Sequence, residues 1–137
     1  MGQIYADLEL ANAYDVESMR RGKIPKDEVR KVNVRALADS GAYLMVIPDH
    51  VAVQLDLLEV ERRECTMADG STNVLPIVGP VWLRFKNRQT VCFAISAPTT
   101  ETLLGSIPME DLDVILNPRS QTMEVNPDSP YLPHIRL

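Results

Sequence analysis

The sequence predicts an all-β, barrel-like domain, and three observations carry that prediction. Apolar residues recur mostly at period two, the runs that hold them are short and bounded by turn residues, and only two brief stretches show helical spacing. At 137 residues the chain is expected to be one domain with a single modest core. No linker or low-complexity segment interrupts it. The expected domain covers 1–126, and 127–137 form an extended tail marked by Pro127, Pro130 and Pro133.

The elements follow in order. In "IYADLEL" the apolar Ile4, Ala6, Leu8 and Leu10 alternate with Asp7 and Glu9, as in a half-buried strand. "KVNVRALA" repeats the pattern with Val32, Val34, Ala36 and Ala38 on one face, and "ESMRRGKIPKDE" between the two reads as a charged loop. "YLMVIP" is a continuous apolar run, as expected of a strand covered on both faces. Pro48 opens "PDHVAVQLDL", where Val51, Ala52, Leu55 and Leu58 share a helical face. Asp69-Gly70 within "VERRECTMADGSTNVLPIVG" is the strongest hairpin signal, with a first arm polar on both faces. "VWLRF" and "TVCFAIS", joined at "KNRQ", make a second hairpin. "ETLLGSIPMEDLDVIL" reads as a strand ending at Gly105 and then a helical turn, with one further strand expected around Met123 to Val125.

Composition narrows the function. Hydrophobic residues at 45% and charged residues at 24% are ordinary globular usage. A net charge of −5 offers no basic footprint for nucleic acid, and no apolar run approaches the ~18 residues of a membrane span. "MGQIYADLEL" matches neither a signal peptide nor the myristoylation pattern. Cys65 and Cys92 form no C-x-x-C pair, so no disulfide framework is expected and a reducing cytoplasm is the default location. His50 and His134 stand at no metal-ligand spacing, and neither a G-x-S-x-G elbow nor a glycine-rich phosphate loop occurs. No metal or other cofactor is expected.

One short stretch remains. Asp39-Ser40-Gly41-Ala42 follows an alternating strand, precedes an apolar run, and lies about thirty residues before the Asp-Gly hairpin. "VRALADSG" and "TETLLG" also echo each other, each ending an apolar strand in a glycine. Asp-Ser-Gly alone is a turn sequence and recurs by chance; its context is what distinguishes it.

The order of "ALADSGA", "MADGST" and "LLGSIPMEDLD" resembles the retropepsin-like aspartic proteases of short bacterial type, over roughly Ile4 to Val125. The chain departs from the commoner family pattern in having Ser40 for threonine and Tyr43 where a small residue often stands. The resemblance implies a retropepsin-like lobe: a closed β-barrel with a flap hairpin and one or two short helices, acting as a homodimer. Asp39 would be the catalytic acid, and Ser40, Gly41 and Ala42 would support its turn. Ala68, Asp69, Gly70 and Ser71 would form the flap over a peptide or protein substrate. Leu103, Leu104 and Gly105 would be the structural strand of the second half.

Peptide hydrolysis of this type needs two carboxylates sharing one proton, and this chain has one Asp-Ser-Gly. A homodimer with both Asp39 residues on its two-fold axis supplies the second. The alternative is a catalytically silent dimerisation or peptide-binding module on the same fold.

Overall fold

The computed structural model describes residues 2–137. Nine strands form one sheet: β1 (Tyr5–Asn12), β2 (Lys31–Ala38), β3 (Met45–Pro48), β4 (Leu58–Thr66), β5 (Thr72–Phe85), β6 (Arg88–Ala97), β7 (Thr102–Leu104), β8 (Val114–Asn117) and β9 (Thr122–Val125). Their order is β4-β5-β6-β3-β7-β2-β1-β9-β8, and β1 also pairs with β5. That extra pairing, from Glu9↔Arg84 to Asn12↔Val81, closes β5-β6-β3-β7-β2-β1 into a six-stranded barrel. Closure leaves those six strands without a free edge along the shared ladder.

The period-two pattern fills the barrel. Leu8, Leu10, Ala36, Met45, Ile47, Val81, Leu83, Ala94 and Leu104 all point into one core. Fully burying a Leu, Ile, Met or Val side chain stabilises a fold by about 1.5–3 kcal/mol. Their alternating partners Asp7, Arg35, Arg84 and Val91 remain exposed. β5 is longer than the sequence suggests. "NVLPIVG" and "VWLRF" are one strand of 14 residues, with a register shift between Val78 and Val81 that bends it around the barrel.

There is one helix more than expected. α1 (Ala13–Arg20) occupies the start of what reads as a loop. Asn12 caps it by accepting from the Asp15 N–H at 3.1 Å, while its Nδ2 donates to the Leu55 carbonyl at 2.9 Å. Asp15 in turn takes two guanidinium bonds from Arg30, at 2.9 and 3.2 Å, and that pairing holds its carboxyl below the usual range. α2 (Asp49–Gln54) forms after Pro48 as expected and buries Val51 and Ala52. Leu58 does not share its face: Asp56, at φ 51, ends the helical path, and Leu58 opens β4 with its side chain exposed. α3 (Ser106–Leu112) follows Gly105.

Val114–Asn117, whose first three residues fall in the stretch read as a helical turn, instead pairs with β9 as a hairpin, reached through Asp113 at φ 53. Asp113 then gathers the tail. It accepts from Ser129 Oγ at 2.5 Å, Asn126 Nδ2 at 3.0 Å and the His134 N–H at 2.9 Å. No helix is long and apolar enough to cross a membrane among the described residues.

Candidate active site

The internal echo noted in the sequence is a physical adjacency. β2 and β7 run parallel, with Ala36↔Thr102, Leu37↔Leu103 and Ala38↔Leu104 in register. The strand ending in Asp39-Ser40-Gly41 therefore lies beside the strand ending in Gly105. The Asp39 N–H donates to the Leu104 carbonyl at 2.9 Å, which anchors the start of the turn. The Ala42 N–H donates to the Asp39 carbonyl at 3.1 Å, and the Gly41 N–H donates to Asp39 Oδ1 at 2.9 Å. The turn thus fixes one carboxylate oxygen by its own backbone, leaving Oδ2 free of hydrogen bonds among the described residues.

Beyond the turn the chain is pinned from below. The Ser106 and Ile107 N–H groups donate to the Ala42 and Tyr43 carbonyls at 2.8 and 3.1 Å. This is possible only because residue 105 has no side chain. A Cβ there would lie 2.2 Å from the Leu44 oxygen and 2.7 Å from the Ala42 oxygen. Gly105 is needed for space, since its φ of −85 is open to any residue.

Asp39 sits half-buried at one side of an open cleft of about 700 Å³. Gly41, Ala42, Tyr43 and Leu44 line the cleft beside it, with Val46, Ile77, Ile95 and Leu103 on its apolar walls. Arg63 to Ala68, from β4 and the start of its turn, line it as well. Volume and lining suit an extended peptide with apolar side chains.

The hairpin of β4 and β5 stands out from the barrel. Nearly all of β4 and the first residues of β5 are exposed on both faces. At its tip the Gly70 N–H donates to the Met67 carbonyl at 2.9 Å, and only Gly70 has positive φ, at 86. The turn is therefore not the type I′ pair that Asp-Gly favours, in which both central residues have positive φ. Asp69 braces it instead, accepting the Ser71 N–H at 2.9 Å and the Ser71 hydroxyl at 2.6 Å. Those bonds lower the Asp69 carboxyl below its ordinary range.

Most of the predicted site residues come together. Asp39, Gly41, Ala42, Ala68 and Leu103 line one cleft, and Leu104 and Gly105 support it from beneath. Ser40 is exposed with no hydrogen-bond partner among the described residues, and Asp69, Gly70 and Ser71 form the hairpin tip without lining the cleft. Sequence reading missed Glu101, Arg63 and Cys65, which line it as well. Glu101 accepts from the Tyr5 hydroxyl at 3.0 Å, and that bond raises the Tyr5 pKa. Tyr5 and Glu101 are 96 positions apart, and the pairing of β1 with β2 and of β2 with β7 brings them together. Among the described residues no cluster of three His, Cys, Asp or Glu side chains could hold a metal.

No protein-family model matches the chain, and no curated protein matches it. Among solved structures it is similar to the simian foamy virus (mac) protease in solution: 16% identity, TM-score 0.45, covering 56% of this chain and 80% of that one. It is also similar to the foamy viral protease–reverse transcriptase in complex with an RNA/DNA hybrid: 12% identity, TM-score 0.50. That match covers 76% of this chain but 11% of the viral one, so this chain spans a small part of that protein's length. At such identity the likeness is one of fold. The closed barrel shares its fold with the matched part of that foamy viral protease–reverse transcriptase.

Proposed function

We propose that the chain is one half of a homodimeric aspartic endopeptidase, with Asp39 from each protomer forming the catalytic dyad. The observation that carries this reading is the placement of Asp39. It stands on a backbone-locked turn at the edge of an apolar cleft, with one oxygen held by Gly41 and the other free. A lone carboxylate cannot be base and acid at once, so a second copy across a two-fold axis completes the site.

The chemistry follows from the pair. Two carboxylates about 3 Å apart hold one proton between them, because both cannot ionise easily. The ionised one takes a proton from a water whose oxygen attacks the peptide carbonyl carbon, and the protonated one gives its proton to the carbonyl oxygen. Collapse of the resulting diol breaks the C–N bond, with a proton passing to the leaving nitrogen and a carboxyl group left on the other product. The β4–β5 hairpin serves as the flap. Its exposed arms and Gly70 tip close over the extended substrate and exclude water. Ser40, exposed in one chain, bonds across the interface and steadies the two turns.

The direct test is cleavage of a denatured protein by the purified chain and by Asp39→Asn. Turnover by the first and none by the second is expected. Equal turnover by both would contradict the reading. Saturable peptide binding without turnover in either would favour the silent module.

A further inference from the structure

A second hollow, of about 470 Å³, lies on the outside of the barrel between α1, the turn at Lys26–Glu28, β1 and β5. Its floor includes Ala11, Val16 and Met19, and Trp82 stands in its wall. Its charged residues are unusual for an acidic protein. Arg20, Lys26, Lys31, Arg84 and Lys86, all exposed, surround it against one carboxylate, Glu9. With the buried Arg88, six of the chain's 14 basic residues thus line one concavity while its net charge is −5.

The local partners do not neutralise them. Glu9 pairs with Arg84 at 3.4 Å, and Arg20 donates to the neutral Gln89 Oε1 at 2.9 Å. Lys26, Lys31 and Lys86 have no ion pair among the described residues. Asp27 and Glu28 follow Lys26 in sequence but do not line the hollow. Like charges gathered around one concavity repel one another, most at low salt, and a multiply charged anion relieves several repulsions at once where one carboxylate relieves few.

Trp82 adds the second element. It is half-buried, and its Nε1–H is satisfied by Gln89 Oε1 at 2.9 Å, the same oxygen that Arg20 uses. This holds the indole in place as a wall beside the cations, and an aromatic wall suits a flat ring. Size bounds the ligand too, since the volume lies within the range of small-molecule sites. A long polyanion would also meet the rest of an acidic surface.

We propose that this hollow binds a small polyanion bearing several phosphates and a flat ring, of the nucleoside polyphosphate class. The site is separate from the Asp39 cleft and does not depend on its chemistry.

Trp82 is the only tryptophan, so its emission reports this hollow alone. ATP and inorganic tripolyphosphate should be titrated into the full chain at low salt by calorimetry, with ATP also followed by fluorescence. ATP is expected to bind saturably, to change Trp82 emission and to bind more tightly than tripolyphosphate. Lys26→Glu combined with Lys31→Glu, both at exposed positions, should weaken ATP by about tenfold or more, with the melting temperature checking that the fold is intact. No ATP binding at about 5 mM, a range that detects even very weak sites, would overturn the proposal. So would unchanged affinity in the double variant, or binding of single-stranded polynucleotide without binding of ATP. Equal affinity for both anions with Trp82 emission unmoved would overturn the assignment of a ring to this wall.

Discussion

Gly105 and Leu44 approach so closely that a methyl group on the glycine would lie 2.2 Å from the Leu44 carbonyl oxygen. The atoms it would meet are backbone, and they belong to the segment that leaves the Asp39 turn. Neither can swing aside like a flexible side chain. Gly105→Ala should therefore destabilise the protein by about 1–3 kcal/mol, as overpacking does, and displace the Asp39 turn. Urea unfolding and peptide cleavage check the two effects separately. Wild-type values for both would show that the turn does not rest on Gly105.

The hairpin tip should behave in the opposite way. Nothing lies within 4 Å of a Cβ built on Gly70, so a side chain there is strained only by its φ of 86. We expect Gly70→Val to leave the melting temperature nearly unchanged, because the hairpin arms contribute little to the core. Peptide turnover should fall several-fold as the flap loses its closing geometry. Unfolding of this variant would mean that the hairpin belongs to the core after all.

The two cysteines should separate by reactivity. Burial pushes the Cys92 thiol up to about 12, with Asp111 adding to the shift, so it holds no thiolate at neutral pH. Cys65 is half-buried and lines the cleft. A chromogenic disulfide reagent should modify one thiol per folded chain, the second reacting only in denaturant. A peptide occupying the cleft should slow that first reaction. Equal rates for both thiols would contradict the burial of Cys92.

Acid stability gives a further test. Hydrogen bonds from Ser129, then Asn126 and the His134 N–H, lower the Asp113 carboxyl from 3.8 to about 2. A carboxyl depressed in the folded state stabilises the fold above its unfolded pKa, and that contribution is lost as pH falls through the folded value. Wild-type melting temperature should therefore drop between about pH 4 and pH 2 more steeply than that of Asp113→Asn. Parallel curves would remove Asp113 as the clasp of the tail.

The parts legible in the sequence were those set by local rules. Alternation at Leu8 and Leu10 or at Val32 and Val34 marks strands because one face meets the core. Asp39 stood out because its turn is built from adjacent residues. What escaped reading depends on distant partners. α1 is only weakly amphipathic and is held by Asn12 on Leu55, 43 positions away, and by Asp15 on Arg30. Leu58 fits the phase of α2, and the left-handed Asp56 that breaks the phase gives no periodic signal. β8 is hidden behind the left-handed Asp113 in the same manner. Glu101 enters the cleft only when β7 pairs with β2, so no spacing along the chain could reveal it.

The central claim is that one active site contains Asp39 from two chains, and subunit mixing tests it most directly. Wild-type protein is exchanged with increasing shares of Asp39→Asn at constant total concentration, and peptide cleavage is followed. If each site needs both carboxylates, mixed dimers are inactive and activity falls as the square of the wild-type fraction. Activity falling in simple proportion to that fraction, with subunit exchange shown to be complete, would mean that one Asp39 suffices and would contradict the account.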